Sequence, residues 1–148
     1  MIIFLDTGVL GLVTHPAGGD DATACQAWMK GLLEKGLDFA IPEIADYELR
    51  RELIRAGKPK SIARLDALAH AITYFALSTE TMRKAAELWA QGRNLGKPTA
   101  SDEALDADAI LGAQAQIESK SGREVIIATT NVGHLKQFGD ARTWNEIP

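Results

Sequence analysis

The stretch Ile2-Ile3-Phe4-Leu5-Asp6-Thr7 decides how this chain is read. Four consecutive apolar residues leave no polar side to turn toward water, so they predict a parallel strand buried on both faces. Asp6 then stands at the carboxyl end of that strand, the edge where open α/β sheets take their ligands. The pattern returns in Val125-Ile126-Ile127-Ala128, followed by Thr129, Thr130 and Asn131. Two such strands put Asp6 and Asn131 at equivalent ends, facing one another across the point where the strand order reverses.

Working outward, Thr7 reads as the N-cap of a helix containing Val9, Leu10, Leu12 and Val13. His15 to Asp21, with Pro16, Gly18 and Gly19, reads as a loop. A helix from Asp20 or Asp21 to Glu34 places Ala24, Trp28, Leu32 and Leu33 on one face and stops at Gly36. Phe39, Ala40 and Ile41 form a strand, and Pro42 suits the first turn of the next helix. That helix, residues 43–56, carries the stripe Ala45, Leu49, Leu53 and Ala56, with Glu48 at its border. Further helices are expected over residues 61–71, 79–91 and 101–119, with a loop over 92–99 and short strands over 72–75 and 141–144. Strands alternating with helices imply an α/β protein, a three-layer α/β/α sandwich around a mainly parallel sheet of about five short strands, with residues 1–148 in one domain.

Composition narrows the function classes. The chain has 148 residues, 46% of them hydrophobic and 24% charged, which suits one ordinary core. Its net charge of -4 argues against binding nucleic acid by bulk electrostatics, and leaves room for an enzyme that grips it through metal and a local patch. The single Cys25 excludes an internal disulfide and a CxxC zinc site, and points to a reducing cytoplasm. Met1 to Phe4 runs straight into Asp6, unlike a secretory signal, and no run approaches the roughly 18 apolar residues of a membrane span.

Asp6, Glu48, Asp106 and Asp108 are acids set among apolar neighbours. Charge withdrawn from water needs a partner or a cation, and hard oxygen donors suit Mg2+ or Mn2+. Each acid also has a plainer reading. Asp6 suits a helix cap. Glu48 suits a solvated face in YELRREL, with Glu52, Arg51 and Arg55 at helical spacing. Asp102, Glu103 and Asp106 suit a helix start. Asp108 has Ala104, Leu105, Leu111, Gly112 and Ala115 as helical neighbours, whereas Asp106 lies on the other side near Ala109, Ile110 and Ala113. Periodicity alone does not choose between them.

In order, IIFLDT, PEIADYELRREL, LDADAILGAQA and VIIATTNVGHLKQF resemble the PIN-domain nucleases, nearest the VapC-like ribonuclease toxins of prokaryotic toxin-antitoxin pairs. The resemblance runs from Ile2 to Ile147. It implies an endoribonuclease dependent on Mg2+ or Mn2+ that leaves 5'-phosphate and 3'-hydroxyl ends. Asp6, Glu48 and Asp108 fall on the metal-ligand positions and Asn131 on a fourth catalytic one, with Thr7, Asp106 and Thr129 in support. Many relatives carry an acid at Asn131 and an aspartate at His134, so one strongly held metal is favoured over two.

The resemblance also implies a homodimer and an antitoxin whose basic side chain enters the pocket. Apolar helices around Trp28 and residues 65–72 add support for a dimer. Arg50, Arg51 and Arg55, with Lys58, Lys60 and Arg64 behind them, are candidates for the RNA backbone, a solvated helical face being the alternative. A second functional reading keeps the fold as a catalytically weak RNA- or protein-binding module. His15, His70 and His134 lack a metal-ligand spacing, and Trp28, Trp89 and Trp144 read as core or partner-facing residues. No G-x-G-x-x-G follows the first strand, which argues against a dinucleotide-binding domain.

Overall fold

The structure is a computed structural model that describes residues 1–95 and 102–148. At its centre lies β1 (Ile2–Leu5), whose four residues are all 0% exposed, the two-faced burial that an unbroken apolar run requires. Around it stand β2 (Asp38–Pro42), β3 (Thr73–Phe75), β4 (Val125–Thr129) and β5 (Ala141–Thr143) in the order β3-β2-β1-β4-β5. Every pairing is parallel, with Leu5 opposite Ala128 and Ile2 opposite Asp38.

Parallel neighbours need long crossovers, and helices supply most of them. The helices α1 (Thr7–Thr14) and α2 (Asp20–Glu34) join β1 to β2, while α3 (Glu43–Arg55) and α4 (Pro59–Ala71) join β2 to β3. Then α5 (Thr79–Asn94) and α6 (Asp102–Ser119) lie between the edge strand β3 and β4, so the strand order reverses between β1 and β4. Strand pleating divides the core. Ile3, Leu5, Phe39, Ile41 and Ile126 meet Val9, Leu10, Cys25, Met29 and Leu65 on one face. Ile2, Phe4, Ala40 and Ile127 meet Ile44, Leu111, Ala115 and Leu135 on the other, which completes the three layers. A third cluster fastens Ala85 and Leu88 of α5 to Leu105, Ala109 and Ala113 of α6 and to Phe138. Gly112 is required there, because a Cβ on it would collide with the Phe138 side chain.

Several local expectations change. Asp6, not Thr7, caps α1: its carboxylate accepts the Thr7 N–H at 2.8 Å, and Thr7 becomes the first helical residue. On α2 the inward stripe is Ala22, Cys25, Met29 and Leu32, whereas Ala24 and Leu33 face water. Trp28 lies at the edge of that stripe and donates its indole N–H to the Ile147 carbonyl at 3.0 Å. Pro42 closes β2 and takes the cap position of α3 instead of its first turn, and Ala56 is exposed past the helix end. Pro59 opens α4, two residues earlier than expected. Helix α5 continues through Gly92 to Asn94, and the rest of the expected loop, residues 96–99, lies outside the described residues together with Ser101. Trp144 leaves β5 to begin a short 3-10 helix. Leu65 is fully buried, and Trp28, Leu68, Ala69 and Ile72, partly buried, pack against the same core.

Candidate functional site

At the end of β1 the Asp6 N–H donates to the Ala128 carbonyl at 3.0 Å, which holds Asp6 level with the end of β4. One Asp6 oxygen accepts the Thr7 N–H, and the other accepts the Thr129 hydroxyl at 2.7 Å. Burial pushes the Asp6 carboxyl above its ordinary range, against the opposing hydrogen bonds of Thr129 and Thr7. Thr129 is itself buried and accepts the Asn131 N–H at 3.1 Å. A hydroxyl has a single proton, so the charged Asp6 oxygen is its stronger acceptor than the Asn131 carbonyl, also 3.1 Å away. Gly8 lets the first turn of α1 approach this strand end, since a Cβ there would lie 2.7 Å from the Thr130 hydroxyl.

Glu48 enters from α3. Its carboxylate accepts the Thr7 hydroxyl at 2.8 Å, so Thr7 ties Asp6 and Glu48 together through its main chain and its side chain. The other Glu48 oxygen lies 3.7 Å from the Arg51 guanidinium, one helical step away. Asp108 enters from α6, half-buried. Desolvation first, then the facing Asp6 charge with Glu48 adding, holds its carboxyl up at about 6, while His134 pulls the other way. Hydrogen bonds thus join Asp6 and Glu48 through Thr7, while Asp108 responds to the charges of Asp6, His134 and Glu48. The capping role of Asp6 and the Arg51 contact of Glu48 are both present.

Among the described residues no three acid, histidine or cysteine side chains already stand as a closed cage for a metal ion. Asp6 accepts from Thr7 and Thr129, and Glu48 from Thr7 with Arg51 nearby. Carboxylate oxygens are the donor type that a hard divalent cation takes, and the Asp108 carboxyl is pushed up by burial first and then by the Asp6 charge.

The remaining candidates separate. Asn131 meets the cluster through its backbone, and its residue is exposed. Asp106 is exposed and lines a groove of about 250 Å3 between α3 and α6, shared with Tyr47, Glu48 and Arg51. Arg50 is pinned by Asp46 at 2.9 Å and Asp66 at 2.8 Å, and Arg55 by Glu52 at 2.9 Å. Of these three arginines, Arg51 is the one that lines the groove beside Glu48.

Sequence reasoning passed over the residues that position the site. Asp46, buried, accepts the Tyr74 phenol at 2.6 Å as well as Arg50, and so fixes α3 to β3. Gln114, also buried, donates to the Phe75 carbonyl at 2.8 Å and accepts the Ile44 N–H at 3.4 Å, linking α6 to α3. A glutamine inside the apolar run ILGAQA was the available signal for the second.

The fold recurs in solved structures along nearly the whole chain. A chain of VapBC2 from Rickettsia felis, bound to a DNA fragment from their promoter, matches with a TM-score of 0.71 at 18% identity, covering 97% of this chain and 99% of that one. FitAcB from Neisseria gonorrhoeae matches at 0.69 and 19% identity, covering 98% and 99%. VapBC-1 from nontypeable Haemophilus influenzae matches at 0.68 and 14% identity, covering 99% and 100%. No protein-family profile and no curated protein matches the sequence. At these identities the likeness is one of fold, and the three-layer architecture around a parallel five-stranded sheet expected from the sequence is the one observed.

Proposed function

We propose that this protein is an endoribonuclease dependent on Mg2+ or Mn2+, acting as the toxin of a toxin-antitoxin pair. What supports the reading is the Thr7 link between Asp6 at the end of β1 and Glu48 on α3, together with an Asp108 carboxyl held up at about 6 by burial first and then by the Asp6 charge. Acids brought together on a buried edge weaken the fold unless something cationic joins them. Asp6, Glu48 and Asp108 would hold the cation, which supplies positive charge for phosphate oxygens and lowers the pKa of a bound water.

The chain's own side chains do the rest. Thr129 and the Thr7 N–H orient Asp6, and the Thr7 hydroxyl orients Glu48. Asp108 must ionise for a metal to bind, because ligand carboxylates coordinate in their deprotonated form. Arg51 stands beside Glu48, at the place where a phosphate of the substrate would approach.

The shared fold with chains of VapBC and FitAB structures supports a cognate antitoxin as partner, together with the sequence resemblance. An antitoxin cation entering the pocket would satisfy the acids as a metal does. Among the described residues no helix is long and apolar enough to cross a membrane, and Cys25 is a free, buried thiol, in keeping with a cytoplasmic setting. A homodimer remains part of the proposal on resemblance alone. The second reading, a binding module with weak or no catalysis, draws on Asn131 and on the unclosed acid cluster.

Purified protein incubated with RNA decides between them. Cleavage that needs Mg2+ or Mn2+ and disappears in Asp6→Asn and Asp108→Asn, both still folded, is the expected result. RNA left intact by the unaltered chain with either metal would leave the binding module.

A further inference from the structure

We propose that Tyr47 and Arg51 form the platform that holds one unpaired nucleotide of the substrate beside the acidic cluster, an inference resting on the ribonuclease reading above. Tyr47 is 56% exposed and packs into none of the apolar clusters of the core. Its ring instead lies beside the Arg51 guanidinium, 5.1 Å from centroid to charge, one helical turn along α3. Both residues line the same groove as Glu48, which Thr7 links to Asp6. The groove, about 250 Å3, is smaller than the roughly 300–1,000 Å3 that takes a drug-sized ligand. It suits a single base.

Charge settles what kind of contact this is. Glu48 and Asp106 line the groove against the single cation Arg51, and Arg50 and Arg55 are committed to acids of their own. The whole chain carries a net charge of -4, so little affinity comes from neutralising phosphates. Stacking of a neutral base on Tyr47, with Arg51 on the adjacent phosphate, supplies what bulk charge does not. Bases in a duplex are already stacked and paired, so the platform takes single strands or loops. Tyrosine and arginine are also common at protein interfaces. Here, however, they share a one-base groove with an acid of the site.

The test uses the whole chain and a labelled single-stranded RNA, with binding read by fluorescence anisotropy in chelator and cleavage read with Mg2+. Tyr47→Ala is expected to weaken binding and raise KM by roughly 5- to 100-fold with little change in kcat, and Tyr47→Phe or Tyr47→Trp to restore both. Binding of a fully paired RNA should not respond to Tyr47. The slope of log affinity against log salt should be about -0.7, the value for one phosphate contact on a single strand, and should fall toward zero in Arg51→Gln. Wild-type affinity and KM in Tyr47→Ala, a Phe variant no better than Ala, or equal dependence on Tyr47 with duplex would overturn the platform and leave the pair as a protein contact. Absence of cleavage alongside Tyr47-dependent binding would overturn the nuclease reading while upholding the platform.

Discussion

Asp108→Asn should stabilise the metal-free protein, and the gain should depend on pH in one direction. In the fold this carboxyl sits at about 6 against an ordinary value of 3.8, so the folded state holds the proton more tightly than the unfolded chain does. Its favourable contribution is fully present below the unfolded value and is lost as pH rises through about 6. At neutral pH the gap corresponds to about 3 kcal/mol at 1.36 kcal/mol per pKa step. Because the side chain is only half-buried, solvent screening brings this to about 1–2 kcal/mol. Asparagine keeps the shape and cannot ionise. Urea denaturation in chelator should therefore show Asp108→Asn more stable by about 1–2 kcal/mol above about pH 7, with a rise in Tm of about 3–6 °C for a chain of this size. The difference should shrink to nothing below about pH 4. A variant less stable than the parent at neutral pH, or a difference that ignores pH, would refute a raised Asp108 carboxyl.

Three further outcomes follow from the same geometry. Millimolar Mg2+ or Mn2+ should raise the Tm of the parent near neutral pH, with no effect below about pH 4 where the acids are protonated, and no effect on Asp108→Asn at any pH; thermal scans with and without chelator check this. Tyr74→Phe removes the phenol that Asp46 accepts, and should lower stability by about 1–2 kcal/mol in urea denaturation while Arg50 still holds the carboxylate. Gly112→Ala drives a methyl into Phe138 and should cost about 1–3 kcal/mol by the same measurement, with loss of cleavage in proportion to any shift of α6.

The layers of this fold were legible because β1 and β4 are apolar without interruption, a pattern that only a two-faced central strand satisfies. The helical boundaries drifted where two residues competed for one job. Asp6 and Thr7 are both good caps, and the Asp6 carboxylate took the role because it also had the Thr129 hydroxyl to hold it. On α2 the large Trp28 and Leu33 suggested the buried face, yet Cys25 and Met29 lie deeper, since a face is chosen by the whole stripe and not by its bulkiest members. Choosing Asp108 over Asp106 rested on the resemblance, because periodicity alone left both acids open. In the structure Asp106 is exposed and Asp108 is half-buried, its carboxyl pushed up by burial and by the Asp6 charge. Asp46 was not legible, because ADYELRREL reads as a solvated face until Tyr74 arrives from β3 to donate to its carboxylate.

The same packing accounts for both the weakness and the use of the site. Ile44 and Leu111 bury α3 and α6 against the strands, and the same helices carry Glu48, which Thr7 links to Asp6, and Asp108, whose carboxyl burial and the Asp6 charge push up. Thr7 and Thr129 answer with hydrogen bonds, which hold the carboxylates in place without cancelling their charge. What remains is a residual repulsion of a few kcal/mol at most, small beside the burial energy of the sheet and therefore tolerated by the fold. That repulsion is relieved by any cation that bridges the acids, and it is relieved in the same way by protonating Asp108. A pH titration and a metal titration of stability thus bear on the same carboxyl from two sides: the gain from acid levels off once Asp108 is protonated in both states, whereas the gain from metal keeps growing with the metal concentration.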